Sequence, residues 1–155
     1  MNDFVGKKLG EVMAFSQIGI ELFERGEDAL KTVIEDYDRV VSDFGKQSEE
    51  VLQLAQTGGV EEVTSAKAEA TGAKLRGMME TYIGDEWDNT AELLEWMGFF
   101  EGAAVVHWKL VEGAANELDN DEMKELSQFG VNLHHDLFHV AQEAIMTVGA
   151  SRAQD

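Results

Sequence analysis

An antiparallel bundle of long helices follows from three features of this 155-residue chain. Apolar residues recur at spacings of three and four in every long segment, proline is absent, and breakers gather only near Gly26, Gly58-Gly59, Gly84 and Asn120. No stretch alternates with the period of two that a half-buried strand requires. The expected fold is therefore all-α, with four long helices plus an extra or broken one, in a single domain over residues 1–155 whose 151–155 tail frays.

The first helix is expected from Asp3 to Arg25, with Asp3 as its N-cap and Gly26 as its stop. Phe4, Phe15, Ile18 and Leu22 make one apolar stripe, while Val5, Leu9, Val12 and Phe23 make another. Glu11 falls within the first stripe, where Lys7 or Lys8 is at hand to pair with it. A second helix, Glu27 to about Gln56, is cleanly amphipathic along Leu30, Val33, Ile34, Tyr37, Val40, Val41, Phe44, Val51, Leu52 and Ala55. Its periodicity runs straight through Gly45, and no acid enters its apolar stripe.

Past the break at Thr57-Gly58-Gly59 the expected inward positions become small: Val63, Ala66, Ala70, Ala73 and Gly77. Small residues permit close approach between helices. An unbroken helix from Val60 to Leu118 would be about 88 Å long at 1.5 Å per residue, so a compact domain requires a break, most naturally at Gly84-Asp85, with Asp88-Asn89-Thr90 as the alternative.

The remaining helices, Glu86 to Leu118 and Asp121 to Gly149, fold back on each other at Asp119-Asn120-Asp121. Leu94, Met97, Trp108, Val111 and Ala115 mark the buried face of one; Met123, Leu126, Leu133, Leu137 and Val140 mark that of the other. Glu101 falls inside the first stripe, His107 lies on the adjoining one with Trp96 and Phe100, and His134 takes the same kind of position on the return helix. A bare carboxylate among apolar side chains costs several kcal/mol unless it meets a cation, a metal or a donor. With the turn at Asn120, Glu101, His107 and His134 fall within about two helical turns of one another and are expected to form one inward cluster.

Beside them, Asp136, His139 and Glu143 are spaced three and four apart and share a helix face. Imidazole and carboxylate at this spacing suit iron, manganese or zinc. The competing reading is a solvated polar face, and for the inward histidines a hydrogen bond to a carboxylate.

Composition narrows the class of partner. Thirty-one acidic residues against twelve basic ones give a formal charge of −19, spread along the chain, which repels nucleic acid and anionic membranes. Such a surface is expected of a protein hydrated in concentrated salt, and a halophilic source explains it better than mimicry of DNA. The absence of cysteine leaves His, Asp and Glu as the strong metal ligands. No targeting segment stands out and no run approaches the roughly eighteen apolar residues of a membrane span, so the cytoplasm is the expected compartment. There is no Gly-rich phosphate loop and no nucleophile elbow. Phe99 and Val106 project from the nominally polar side of their helix, and a homodimer is expected to cover them.

The segment Glu101-Gly-Ala-Ala, then His107-Trp108, the acidic turn Leu118-Asp-Asn-Asp-Glu122, and Leu126 followed by the His134 to His139 run resembles the second half of ferritin-like domains. The resemblance covers about fifty residues and implies a four-helix bundle holding two metal ions through inward carboxylates and Glu-x-x-His pairs. Here no Glu-x-x-His occurs; Asp136-x-x-His139 is nearest, and His134 stands where the family usually has its last-helix Glu. What the resemblance implies is a metal-binding bundle with an iron or manganese redox or storage role, its ligands drawn from Glu101, His107, His134, Asp136, His139 and Glu143. The alternative is a non-enzymatic acidic helical bundle without metal, whose inward polar residues fix helix register.

Overall fold

In a computed structural model that describes residues 1–154, the chain forms α1 (Asp3–Arg25), α2 (Glu27–Leu30), α3 (Tyr37–Thr57), α4 (Glu61–Ile83), α5 (Thr90–Glu117) and α6 (Asp121–Arg152), with no strand among the described residues. No helix among them is long and apolar enough to cross a membrane. Packing closes a ring in which α1 touches α3 and α5, and α6 touches the same two from the other side. Paired residues fix the directions. Ser16 meets Gln47 across α1 and α3, Phe15 meets Phe100 across α1 and α5, and Glu101 meets His134 across α5 and α6, so each step around the ring reverses direction. The turn at Asn120 is the one expected. Its side chain caps α6 by accepting from the Met123 N–H, and Asp119 takes the left-handed conformation (φ 48°) that ends α5.

The fourth helix lies outside the ring, parallel to α1, and carries the chain from the bottom of α3 back to the top of α5. Its inward face differs from the expected one. Thr64, Ala68, Gly72, Met79 and Ile83 are buried, whereas Ala66, Ala70, Ala73 and Gly77 face solvent. The reason is on α1. Gly6 and Gly10 let the α4 backbone approach so closely that a Cβ on Gly10 would sit 2.4 Å from the Thr64 carbonyl oxygen, and the Thr64 hydroxyl donates to the Gly6 carbonyl at 3.0 Å. That contact decides the rotation of α4, which helical periodicity among small residues leaves open.

Other boundaries move as well, and α5 begins at Thr90, capped by Asn89, rather than at Glu86. Asn2, rather than Asp3, caps α1, its side chain accepting from the Val5 N–H at 3.0 Å. The long second helix breaks between Leu30 and Tyr37 into a tight turn, where three successive β-branched residues, Thr32, Val33 and Ile34, disfavour helix. Tyr37 anchors the restart by donating its hydroxyl to the Phe23 carbonyl at 2.5 Å. At the other end α6 continues to Arg152, whose guanidinium donates to the Asn89 side chain at 2.9 Å; of the expected frayed tail, Asp155 lies outside the described residues.

The ring's interior holds two apolar clusters. One contains Phe15, Ile18, Leu22, Phe23, Phe44, Leu94, Phe100 and Leu137; the other contains Leu9, Val12, Val51, Leu54, Trp108, Val111 and Met123. Each of these large side chains contributes roughly 1.5–3 kcal/mol on leaving water. Between the clusters lies a polar layer.

Candidate functional site: a buried polar layer

Each ring helix delivers one polar side chain to that layer. Ser16 comes from α1, Gln47 from α3, Glu101 from α5 and His134 from α6, and all four residues are fully buried. Their placement follows from helix periodicity. Gln47 continues the stripe Tyr37, Val40, Phe44, Val51 and Leu54, and Ser16 sits four residues after Val12 on a buried face. Neither residue was singled out from the sequence as a candidate. An uncharged polar side chain inside an apolar stripe is a weaker signal than Glu101, yet that interruption was the signal available.

The four groups are joined in series. Oε2 of Glu101 lies 2.5 Å from Nδ1 of His134; Nε2 of His134 lies 3.2 Å from Oε1 of Gln47; and the Ser16 hydroxyl donates to the same Gln47 oxygen at 3.0 Å. The Phe44 ring packs against the imidazole at 5.6 Å between centroids and helps to hold it. Burial pushes the Glu101 pKa up, while the neighbouring imidazole and its hydrogen bond pull the other way; desolvation is the larger effect. Within the layer, two side-chain atoms are buried without a hydrogen-bond partner, Oε1 of Glu101 and Nε2 of Gln47; elsewhere among the described residues the indole nitrogens of Trp96 and Trp108 are too.

The hydrogen bonds constrain where the protons lie. The Gln47 oxygen accepts from Ser16, so a bond from His134 requires an N–H on Nε2. One proton then occupies the Nδ1 to Oε2 contact. Whether it resides on nitrogen or oxygen, the pair as a whole is neutral, and no isolated charge is buried.

The expected inward trio is thereby divided. Glu101 and His134 are bonded to each other, but His107 stands apart, about one third exposed, in the cleft between α1, α4 and α5. Its Nδ1 bonds to the Ala103 carbonyl at 2.8 Å, its Nε2 lies 3.7 Å from Glu11, and its ring packs on Phe15. The physical reason is that His107 sits on the side of α5 turned toward α4, a helix outside the ring, so its stripe adjoins the core stripe without entering it. Glu11 is held there by Lys8 at 3.0 Å and Lys67 at 3.3 Å, so its pairing with Lys8 is as expected.

Asp136, His139 and Glu143 do share a face of α6, and that face is exposed. They line an open cavity of about 450 Å³ opposite Glu35, Asp36 and Arg39 of the α2–α3 turn and α3. Arg39 is bonded to Asp36 at 2.7 Å, and Asp136 adds to the negative field around it. Among the described residues, no three His, Asp or Glu side chains converge as a metal-holding group.

A dinuclear metal centre of the kind implied by the ferritin-like resemblance does not fit these side chains. Glu101 Oε2 and His134 Nδ1 are engaged with each other, the next donors are an amide and a hydroxyl, and only Oε1 of Glu101 is free. The layer suits register and charge neutrality rather than multi-ligand coordination. Comparison of the chain with family models, with curated proteins and with solved structures returns no match.

Proposed function

We propose that this chain is a non-catalytic interaction protein built on a ferritin-like bundle, in which a hydrogen-bonded polar layer stands where that superfamily holds metal. The observation that carries the reading is the series Glu101, His134, Gln47 and Ser16, one residue from each ring helix, bonded among themselves. A core layer of this kind penalises any slip of one helix against the others, because a shift by a turn would leave several buried polar groups unpaired. Topology supports the ferritin-like part. The ring helices α3 and α5 run in the same direction and are joined by a long crossover, here the outer helix α4, as in one-crossover four-helix bundles.

The acidic surface fits work in concentrated salt, where a charge of −19 keeps the protein hydrated and apart from nucleic acid. A second reading, a single iron or manganese ion held by Glu101 and His134, is favoured by the unpartnered Oε1 of Glu101. One experiment separates the two. Metal content and visible spectrum are measured on untagged protein purified in high salt, for the wild type and for Glu101→Gln. Background metal in both supports the register layer; stoichiometric metal in the wild type that falls in Glu101→Gln overturns it in favour of the metal site.

A further inference from the structure

Building on an interaction role for the bundle, we infer that the face made by α4 and α5 over α1 is where two copies of this chain pair about a two-fold axis. Among the described residues eight large apolar side chains are exposed, and Phe4, Met78, Tyr82, Phe99, Val106 and Leu110 belong to these three helices. The other two, Leu118 at the hairpin turn and Met146 on α6, lie elsewhere. An open, largely apolar groove of about 980 Å³ runs between α4 and α5, with Met78 and Tyr82 on one wall and Trp96 and Phe99 on the other. The Tyr82 ring meets Phe99 edge-on at 5.5 Å, and the Tyr82 hydroxyl donates to Glu95 at 2.9 Å, so Tyr82 bridges from α4 to α5 beside the groove.

Val106 and Leu110, seven and eleven residues after Phe99, continue from that wall of the groove as a ridge along the outer side of α5. Phe99 and Val106 are 65% and 67% exposed. Ridge and groove share one face, which makes the face self-complementary: a two-fold rotation seats the α5 ridge of each copy in the groove of the other. An apolar patch of this kind on a highly charged chain is the signature of a covered surface.

Charge identifies the occupant. Two copies of −19 each repel across most of their surfaces. On this face Lys8 and Lys67 hold Glu11 between them at 3.0 and 3.3 Å, Lys74 lines the groove, and Glu95 is bonded to Tyr82. Glu92 adds its charge beside Tyr82, so three lysines accompany three carboxylates here, where the rest of the chain is overwhelmingly acidic. A basic partner is drawn to the acidic faces instead, whereas an acidic and apolar partner meets least repulsion here, and a second copy is such a partner.

The test is sedimentation velocity on the full chain in high salt across roughly 1–100 μM, a range that resolves weak self-association. The wild type is expected to form a reversible dimer that tightens with salt. Phe99→Glu and Val106→Glu are each expected to weaken it by about tenfold or more, about 1.4 kcal/mol. Met146→Glu introduces the same charge at a side chain 64% exposed and is expected to leave the dimer intact. All three positions are exposed, and unchanged helicity by circular dichroism confirms folding. A wild-type monomer throughout the range, or equal dissociation by Met146→Glu and Phe99→Glu, overturns the interface. A monomer sinks this pairing and leaves the register layer standing; stoichiometric metal in an intact dimer does the reverse.

Discussion

Nδ1 of His134 lies 2.5 Å from Oε2 of Glu101, with neither side chain reached by solvent. The contact unites two groups that would each be costly to bury alone as ions, and its shared proton keeps the core neutral. Everything else in the layer follows from satisfying the outer edge of that pair.

The first prediction concerns pH. Burial raises the Glu101 pKa above its ordinary value of 4.5, so the folded protein holds this proton more tightly than the unfolded chain does. The associated stability is fully present below the ordinary carboxylate range and is lost as pH rises through the raised value. Wild-type stability measured relative to Glu101→Gln should therefore fall as pH climbs from about 4.5, with a slope of at most about 1.4 kcal/mol per pH unit. Urea titrations of both proteins from acid to neutral pH check it. A difference that grows in favour of the wild type would show that the carboxylate, not the acid, is the favoured buried form.

Gln47 supports both His134 and Ser16, and its replacement should cost more than that of Ser16. Gln47→Leu leaves the imidazole Nε2 without an acceptor and should destabilise by about 1–3 kcal/mol. Ser16→Ala should cost less, about 0.5–1.5 kcal/mol, because the hydroxyl is a terminal member that can also donate to the Val12 carbonyl, 3.3 Å away. Chemical denaturation ranks the two. The reverse order would mean that the layer is organised from α1 rather than from α3.

Glycines that look alike in the sequence should respond oppositely to alanine. A Cβ on Gly130 would stand 2.2 Å from the Trp108 ring, which is wedged into the α5–α6 seam, and Gly130→Ala should lose about 1–3 kcal/mol. Gly45, inside α3, has nothing within 4 Å of such a Cβ, and Gly45→Ala should gain about 0.4–1 kcal/mol. Thermal melts of the two variants test the packing at each site, and equal effects would contradict it.

Salt should raise the thermal midpoint. With a formal charge of −19, self-repulsion opposes the compact state, and the Debye length shortens from roughly 10 Å at 0.1 M to 3 Å at 1 M. Calorimetry across that range checks the direction. A flat or falling midpoint would remove the case for adaptation to salt.

Sequence periodicity alone was sufficient for the all-helical fold, the α5–α6 hairpin and its register, and the burial of Glu101 and His134, because those residues sit in long stripes whose period admits one orientation. It was also sufficient for the exposure of Phe99 and Val106, which fall on the polar side of α5. Tertiary structure decided what periodicity cannot encode. The rotation of α4 depends on Gly6 and Gly10 of another helix, and the division of His107 from His134 depends on which neighbour each side of α5 faces. Gln47 and Ser16 entered the layer for the same reason: a neutral polar side chain in an apolar stripe becomes meaningful only when the ring brings its partner within hydrogen-bonding distance.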